Sequence, residues 1–351
     1  MDLFSTLFFL SSGLFLGWSL GANDAANVFG TAVGSKMLSF YRAALICSVF
    51  LIIGAVVGGA GAAHTLGKLG AISTLPGAFT VALASALTVF FMTKIGLPVS
   101  TSQAIVGSII GWNLFSGTPT DLAVVTKITS TWLICPLLSM FFSVIIYQIM
   151  RYQVYNSHIH LIRQDSYTRV GLIVVGAFGS YGLGANNIAN VMGVFIPSSP
   201  FDTTQLLSFL TFTSTQKLFL LGGISIAVGV YTYSRRVMET VGRGLFKLSP
   251  VTAFVVVLSS SLVLFIFSSQ ELSQFAVSLG LPAIPLVPVS SSQAVVGAVL
   301  GIGLIKGRGK NIDWTMLFKI VSGWVATPVF AGVMTIFALS IMQNLFLAKV
   351  F

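Results

Sequence analysis

Two pairs of short motifs in this chain carry side chains able to bind ions, and all four copies sit in apolar surroundings. GANDAANVFG (21–30) and GANNIANVMG (184–193) are identical at seven of ten positions, and PVSTSQAIVGSIIG (98–111) and PVSSSQAVVGAVLG (288–301) at nine of fourteen. The first pair supplies Asn23, Asp24, Asn27, Asn186, Asn187 and Asn190. Amide carbonyls are neutral hard-oxygen ligands suited to a small cation such as Na+, and Asp24 adds the formal charge. An ionised carboxylate in hydrocarbon costs roughly 2.5–3.5 kcal/mol, so Asp24 requires a cation or a proton. Unwound backbone around Gly21 and Gly184 is expected to complete the shell, because non-helical backbone is tolerated where it lines a cavity. The competing reading is a purely structural hydrogen-bond network between helices around a protonated Asp24.

The second pair supplies Ser100, Thr101, Ser102 and Gln103, and Ser290, Ser291, Ser292 and Gln293; Pro98 or Pro288 and a valine precede each run. Proline suits the first turn of a helix, where its missing N–H costs nothing. The N–H groups that follow carry the positive end of the helix dipole, about half a charge. The hydroxyls and amides add donors without formal charge. Two such tips, arriving from opposite faces, make an anion site, best filled by an oxyanion with several acceptor oxygens. The competing reading is that Ser, Thr and Gly only permit tight helix packing. Lys94 and Lys217 are weaker candidates for anion contact, whereas Lys127 and Lys319 fall near loops, where long side chains snorkel. His64, His158 and His160 fall in predicted loops, which leaves the apolar segments without a histidine to relay protons or activate a serine.

The elements that position these motifs are membrane helices. Of 351 residues, 55% are hydrophobic and 7% charged, where a soluble protein carries about 25% charged residues. Mean hydropathy is +0.96, and apolar stretches of about 18 residues or more recur along the chain, long enough to span a hydrocarbon core. The first segment lacks a basic n-region and a cleavage site and reads as a retained helix rather than a signal peptide. The net charge of +10 resides mostly in short loops, where it orients a membrane protein rather than attracting nucleic acid. Cys47 and Cys135 lie in apolar segments and imply neither a disulfide nor a metal site.

The repeats divide the chain into a first unit (1–150), a polar linker (151–169) and a second unit (170–351). A third echo supports the duplication: Lys127, Trp132 and Pro136 share their spacing with Lys319, Trp324 and Pro328. Twelve of the eighteen Lys and Arg residues fall in 35–42, 151–169, 234–249 and 306–310, whereas 64–76, 115–122 and 197–204 hold only Lys68. The positive-inside rule makes the first set cytoplasmic and the second external. Residues 77–114 must then enter and leave on one side, as a re-entrant hairpin with PVSTSQ at its tip. The second hairpin covers about 250–305, and its 269–287 stretch, polar and broken by proline, has room for extra helix. Each unit has about three spanning helices, some broken, plus a hairpin. An odd number of crossings inverts the second copy, so the expected fold is an all-α polytopic membrane protein with an inverted-topology repeat.

At these motifs the sequence resembles the inorganic phosphate transporter (PiT) family. Gly21 through Ser35 reproduce the first copy of its GANDxANxxGTAVGS-type signature, and the segments 98–103 and 288–293 are similar to its PVST-type hairpins. The resemblance covers nearly the whole chain, apart from the large cytoplasmic insert of animal members. It implies a carrier that moves phosphate with Na+ or H+, not an enzyme. Three positions depart from the family. Asn187 stands where members often have Asp, which leaves Asp24 as the central carboxylate. Gln103 and Gln293 stand where many members have His, and glutamine cannot titrate, which argues against H+ coupling through the tips.

The expectation is a bacterial or archaeal type of sodium-dependent phosphate symporter in the cell (inner) membrane, with both termini external. It works by alternating access, with phosphate at the eight tip residues and Na+ at the six signature residues. Divalent phosphate and Asp24 bring about three negative charges together, and helix ends offset only part of that; two or more Na+ bring the loaded site towards neutrality. Its partners are phosphate, Na+ and the lipid bilayer, without nucleic acid; a homodimer is compatible with it. No cofactor is expected beyond the transported ions. The alternatives are an H+-coupled phosphate or sulfate permease of the same fold and, more remotely, an anion channel.

Overall fold

The computed structural model describes residues 3–70, 72–94, 99–156, 160–207, 210–241, 248–307, 309–310 and 312–351. The described chain forms twelve α-helices and one two-stranded β-hairpin. The first half contains α1 (Leu3–Gly34), α2 (Phe40–Gly58), α3 (Ala60–Leu69), α4 (Leu75–Lys94), α5 (Thr101–Ser116) and α6 (Leu122–Asn156). The second contains α7 (Leu161–Met192), β1 (Thr204–Leu207), β2 (Leu210–Phe212), α8 (Ser214–Val241), α9 (Pro250–Ser268), α10 (Gln270–Ser278), α11 (Ser291–Gly307) and α12 (Trp314–Asn344). Eight of these helices, α1, α2, α4, α6, α7, α8, α9 and α12, are long and apolar enough to cross a membrane.

The repeats set the packing. The signatures lie on α1 and α7, and the hairpin motifs open α5 and α11. Packing then crosses between the halves: α1 lies on α8, α2 on α7, α5 on α12 and α11 on α6. The contacts are reciprocal at individual residues. A Cβ at Gly21 would lie 1.9 Å from the Ile226 carbonyl oxygen, and one at Gly184 would lie 2.0 Å from that of Leu51. Small residues let helix backbones approach where no water drives association. The Lys-Trp-Pro echo has the same explanation. A Cβ at Gly107 would meet the Pro328 oxygen at 2.1 Å, and one at Gly297 the Pro136 oxygen at 2.1 Å.

Several expectations are corrected. Helices α1 and α7 run unbroken through Gly21 and Gly184. The glycines there allow a neighbouring carbonyl to approach and do not unwind the helix. Most of the polar linker is helical, because α6 continues to Asn156 and α7 begins at Leu161. His64 and Lys68 lie on α3 rather than in a loop, both exposed. His160 caps α7 by accepting from the Ile162 N–H, while His158 lies outside the described residues.

Each hairpin is lopsided. Its first arm, α4 or α9, is long enough to cross a membrane. The later helix of each is shorter, 16 residues in α5 and 17 in α11. Before α11, α10 occupies the start of 269–287, and residues 281–290 have no regular secondary structure. The outermost helices α6 and α12 turn exposed apolar side chains outward, among them Leu133, Phe141, Val325 and Phe337. Such a surface suits lipid, where a helix can be apolar all round.

Candidate functional site

The hairpin tips meet each other. Ser100, in extended conformation, caps α5 by accepting from the Gln103 N–H at 3.4 Å. Ser290 receives the Gln293 N–H at 3.3 Å in the same way. With the serines as caps, Pro288 stands in the approach to α11 and not in its first turn; Pro98 lies outside the described residues. Each tip reaches the other's backbone. The Ser102 hydroxyl donates to the Val289 oxygen at 3.1 Å, and the Ser292 hydroxyl donates to the Val99 oxygen at 3.4 Å. These four residues occupy matched positions in the two copies.

The signature helices close around the tips. From α1, Asp24 Oδ2 accepts from the Ser291 hydroxyl at 2.8 Å, and Asn27 Nδ2 donates to the same hydroxyl oxygen at 3.2 Å. Asn23 Nδ2 lies 3.5 Å from Asp24 Oδ1. From α7, Asn186 holds the Val289 backbone twice, donating to its oxygen at 2.7 Å and accepting from its N–H at 3.0 Å. Asn190 Nδ2 donates to Ser102 Oγ at 2.9 Å and to Asn187 Oδ1 at 3.0 Å. The structure therefore gathers Asn23, Asp24, Asn27, Asn186, Asn187 and Asn190 with both tips into one buried cluster. Asp24 is only 4% exposed, and Asn186, Asn187 and Asn190 are sealed, while Asn23, Asn27 and Ser292 are half-buried.

Within this cluster polar atoms remain unpartnered. Thr101 Oγ1, Gln103 Oε1, Gln293 Oε1, Asn187 Nδ2 and Asn190 Oδ1 are buried without a hydrogen bond. Each such group costs about 1–3 kcal/mol, and buried polar atoms are otherwise almost always paired. The set contains acceptors, which suit a cation, and donors, which suit an anion. Among the described residues no group of three or more His, Cys, Asp and Glu could hold a metal ion.

The lysines stay out of this cluster. Lys217 donates to the Asp202 oxygen and to Thr204 Oγ1, both at 2.5 Å, at the base of the β-hairpin. Lys94 is exposed at the end of α4, and Lys127 and Lys319 are exposed on α6 and α12. Lys217 serves a loop because α8 begins only three residues before it. Sequence reasoning missed the backbones of Val99 and Val289 and the thiol of Cys135, which lies 3.6 Å from the Ser290 oxygen. It also missed the indole N–H groups of Trp132 and Trp324, both buried and unpartnered at matched positions of the echo. The echo itself was the available signal for these tryptophans.

A duplicated, multi-pass α-helical membrane protein with polar residues from both halves buried at its centre is the construction of a membrane transporter rather than an enzyme. The chain belongs to the phosphate transporter family, whose family model matches residues 20–335 and, separately, 283–350. It is 29% identical to a candidate phosphate permease of Methanocaldococcus jannaschii over 313 residues, 89% of each chain. A sulfate permease of Bacillus subtilis is 27% identical over 93% of this chain and 84% of its own length. Among solved structures, a sodium-dependent phosphate transporter has the same fold, with a TM-score of 0.74 and 22% identity, covering 97% of this chain and 99% of that one.

Proposed function

We propose that this transporter imports inorganic phosphate coupled to Na+ by alternating access. The observation that carries the reading is the convergence of both hairpin tips and both signature helices on one buried cluster with unpartnered donors and acceptors. Phosphate binds at Ser100, Thr101, Ser102, Gln103, Ser290, Ser291, Ser292 and Gln293, where two helix N-termini and their hydroxyls supply donors. Na+ binds at Asn23, Asp24, Asn27, Asn186, Asn187 and Asn190, where the Asp24 carboxylate supplies the charge. The structural neighbour that depends on sodium supports the choice of cation. The reciprocal helix packing supports two units, 1–150 and 170–351, of opposite orientation, and the distribution of Lys and Arg supports external termini and a cytoplasmic 151–169.

The test is uptake of labelled phosphate into proteoliposomes under an imposed gradient. An inward Na+ gradient is expected to drive accumulation above equilibrium, and a pH gradient alone is not. Uptake driven by pH and indifferent to Na+ would overturn the coupling. The similarity to a sulfate permease gives a second reading, sulfate as cargo. Excess sulfate is expected to leave phosphate uptake largely intact; full competition would favour sulfate instead.

A further inference from the structure

The duplication lets one half of the molecule serve as a control for the other. The aligned signatures place Phe8 of α1 opposite Gly171 of α7. The starts of α4 and α9 align through their caps: Thr74 Oγ1 accepts from the Gly77 N–H at 3.3 Å, and Ser249 Oγ accepts from the Thr252 N–H at 3.4 Å. Phe79 therefore matches Phe254. In the first half Phe8 stacks on Phe79, with ring centroids 5.3 Å apart and planes at 19°. In the second half Gly171 faces Phe254, whose ring lies 3.1 Å from the position of a Cβ. Gly171 and Phe254 together line a cavity of about 320 Å³.

This cavity has a mixed lining. Met150, Val251 and Phe254 contribute apolar surface to it, and Gln153, Gln164 and Tyr167 contribute polar groups. Two arginines stand next to lining residues in sequence, Arg151 beside Met150 and Arg163 beside Gln164, and both are exposed. Arg169 is occupied by Asp165 at 3.2 Å, and among the described residues neither Arg151 nor Arg163 has a salt-bridge partner. A largely apolar hollow with polar groups in its lining, and two exposed arginines adjacent to that lining in sequence, match a molecule with an acyl chain and an acidic headgroup. A hollow alone would take any lipid, and the arginines alone any anion.

We propose that this cavity between α6, α7 and α9 binds one anionic phospholipid. Its acyl chain packs on Phe254 in the place that Phe8 fills in the other half, and its headgroup meets Arg151 and Arg163. Basic residues at the cytoplasmic membrane boundary attract acidic lipids, and 151–169 is the linker proposed to lie on that side. The site rests on the chain being membrane-embedded and is independent of which ion drives transport.

The experiment is native mass spectrometry of the purified full-length protein titrated with phosphatidylglycerol or phosphatidylethanolamine of identical chains. The natural chain is expected to retain phosphatidylglycerol with a preference of roughly 30-fold, from two arginines. Gly171→Phe, which restores the ring of the first half, is expected to abolish retention of both lipids at this site. The surface double variant Arg151→Gln/Arg163→Gln keeps the hollow and is expected to retain both lipids equally. Equal retention by the natural chain, or an unchanged preference in the double variant, overturns the proposal, even if Gly171→Phe fails to fold. Phosphate uptake measured in parallel reports on the transport reading separately.

Discussion

The two signature copies occupy equivalent places but are treated differently by the fold. The second copy, Asn186, Asn187 and Asn190, is sealed and holds the tips, gripping the Val289 backbone and the Ser102 hydroxyl. The first copy carries the carboxylate, holds one hydroxyl of the opposing tip, and leaves Asn23 and Asn27 half-buried. Neutral amides can be closed off at small cost once hydrogen-bonded. A buried carboxylate without a counter-ion costs several kcal/mol more. The charged residue therefore sits, itself buried, in the copy whose neighbouring asparagines stay half-buried. Near-symmetric parts thus hold an asymmetric arrangement.

Removing the charge difference should have the largest effect. Asp24→Asn makes the two copies alike and is expected to lower Na+-driven phosphate uptake by about 100-fold, close to 3 kcal/mol, with little change in melting temperature. Normal uptake in this variant would break the comparison. Adding charge to the sealed copy should have an intermediate effect. Asn187→Asp is expected to steepen the dependence of uptake on Na+ concentration and to lower its rate by about tenfold, since a second carboxylate needs a second counter-ion. The relevant measurement is initial rate against Na+ in proteoliposomes; an unchanged curve would show that charge count does not distinguish the copies. The smallest effect belongs to the tip-to-tip bonds. Ser102→Ala and Ser292→Ala each remove a cross-tip hydrogen bond worth about 1 kcal/mol. Ser102 also receives Asn190, so its variant should lose more phosphate affinity than the Ser292 variant. Equal losses would mean that the sealed copy's grip on the first tip does not matter.

Much of this arrangement was legible in the residues. Repetition exposed the signatures and tips, and hydropathy exposed the helices, because both are properties of local sequence. The continuity of α1 and α7 was not legible. A glycine beside polar residues reads equally well as a break or as a point of close approach, and only the Ile226 and Leu51 carbonyls decide between them. The place of Lys217, a weaker candidate for anion contact, was not legible for a related reason. Apolar neighbours in sequence said nothing of Asp202 and Thr204, which fold back to meet it. The cross-tip bonds join residues 187 and 193 positions apart, a pairing that composition and spacing along the chain cannot reveal.

The glycine contacts between halves also bear on how the chain is made. Synthesis delivers α1 long before α8, and N-terminal parts otherwise tend to fold first. Until Ser214–Val241 has emerged, the Gly21 face of α1 has no backbone to rest on, and Asp24 must wait longer still for Ser291. The first half therefore enters the bilayer as an unfinished partner. The close approach of α1 to α8 and the bond from Ser291 to Asp24 can form only once the second half is present.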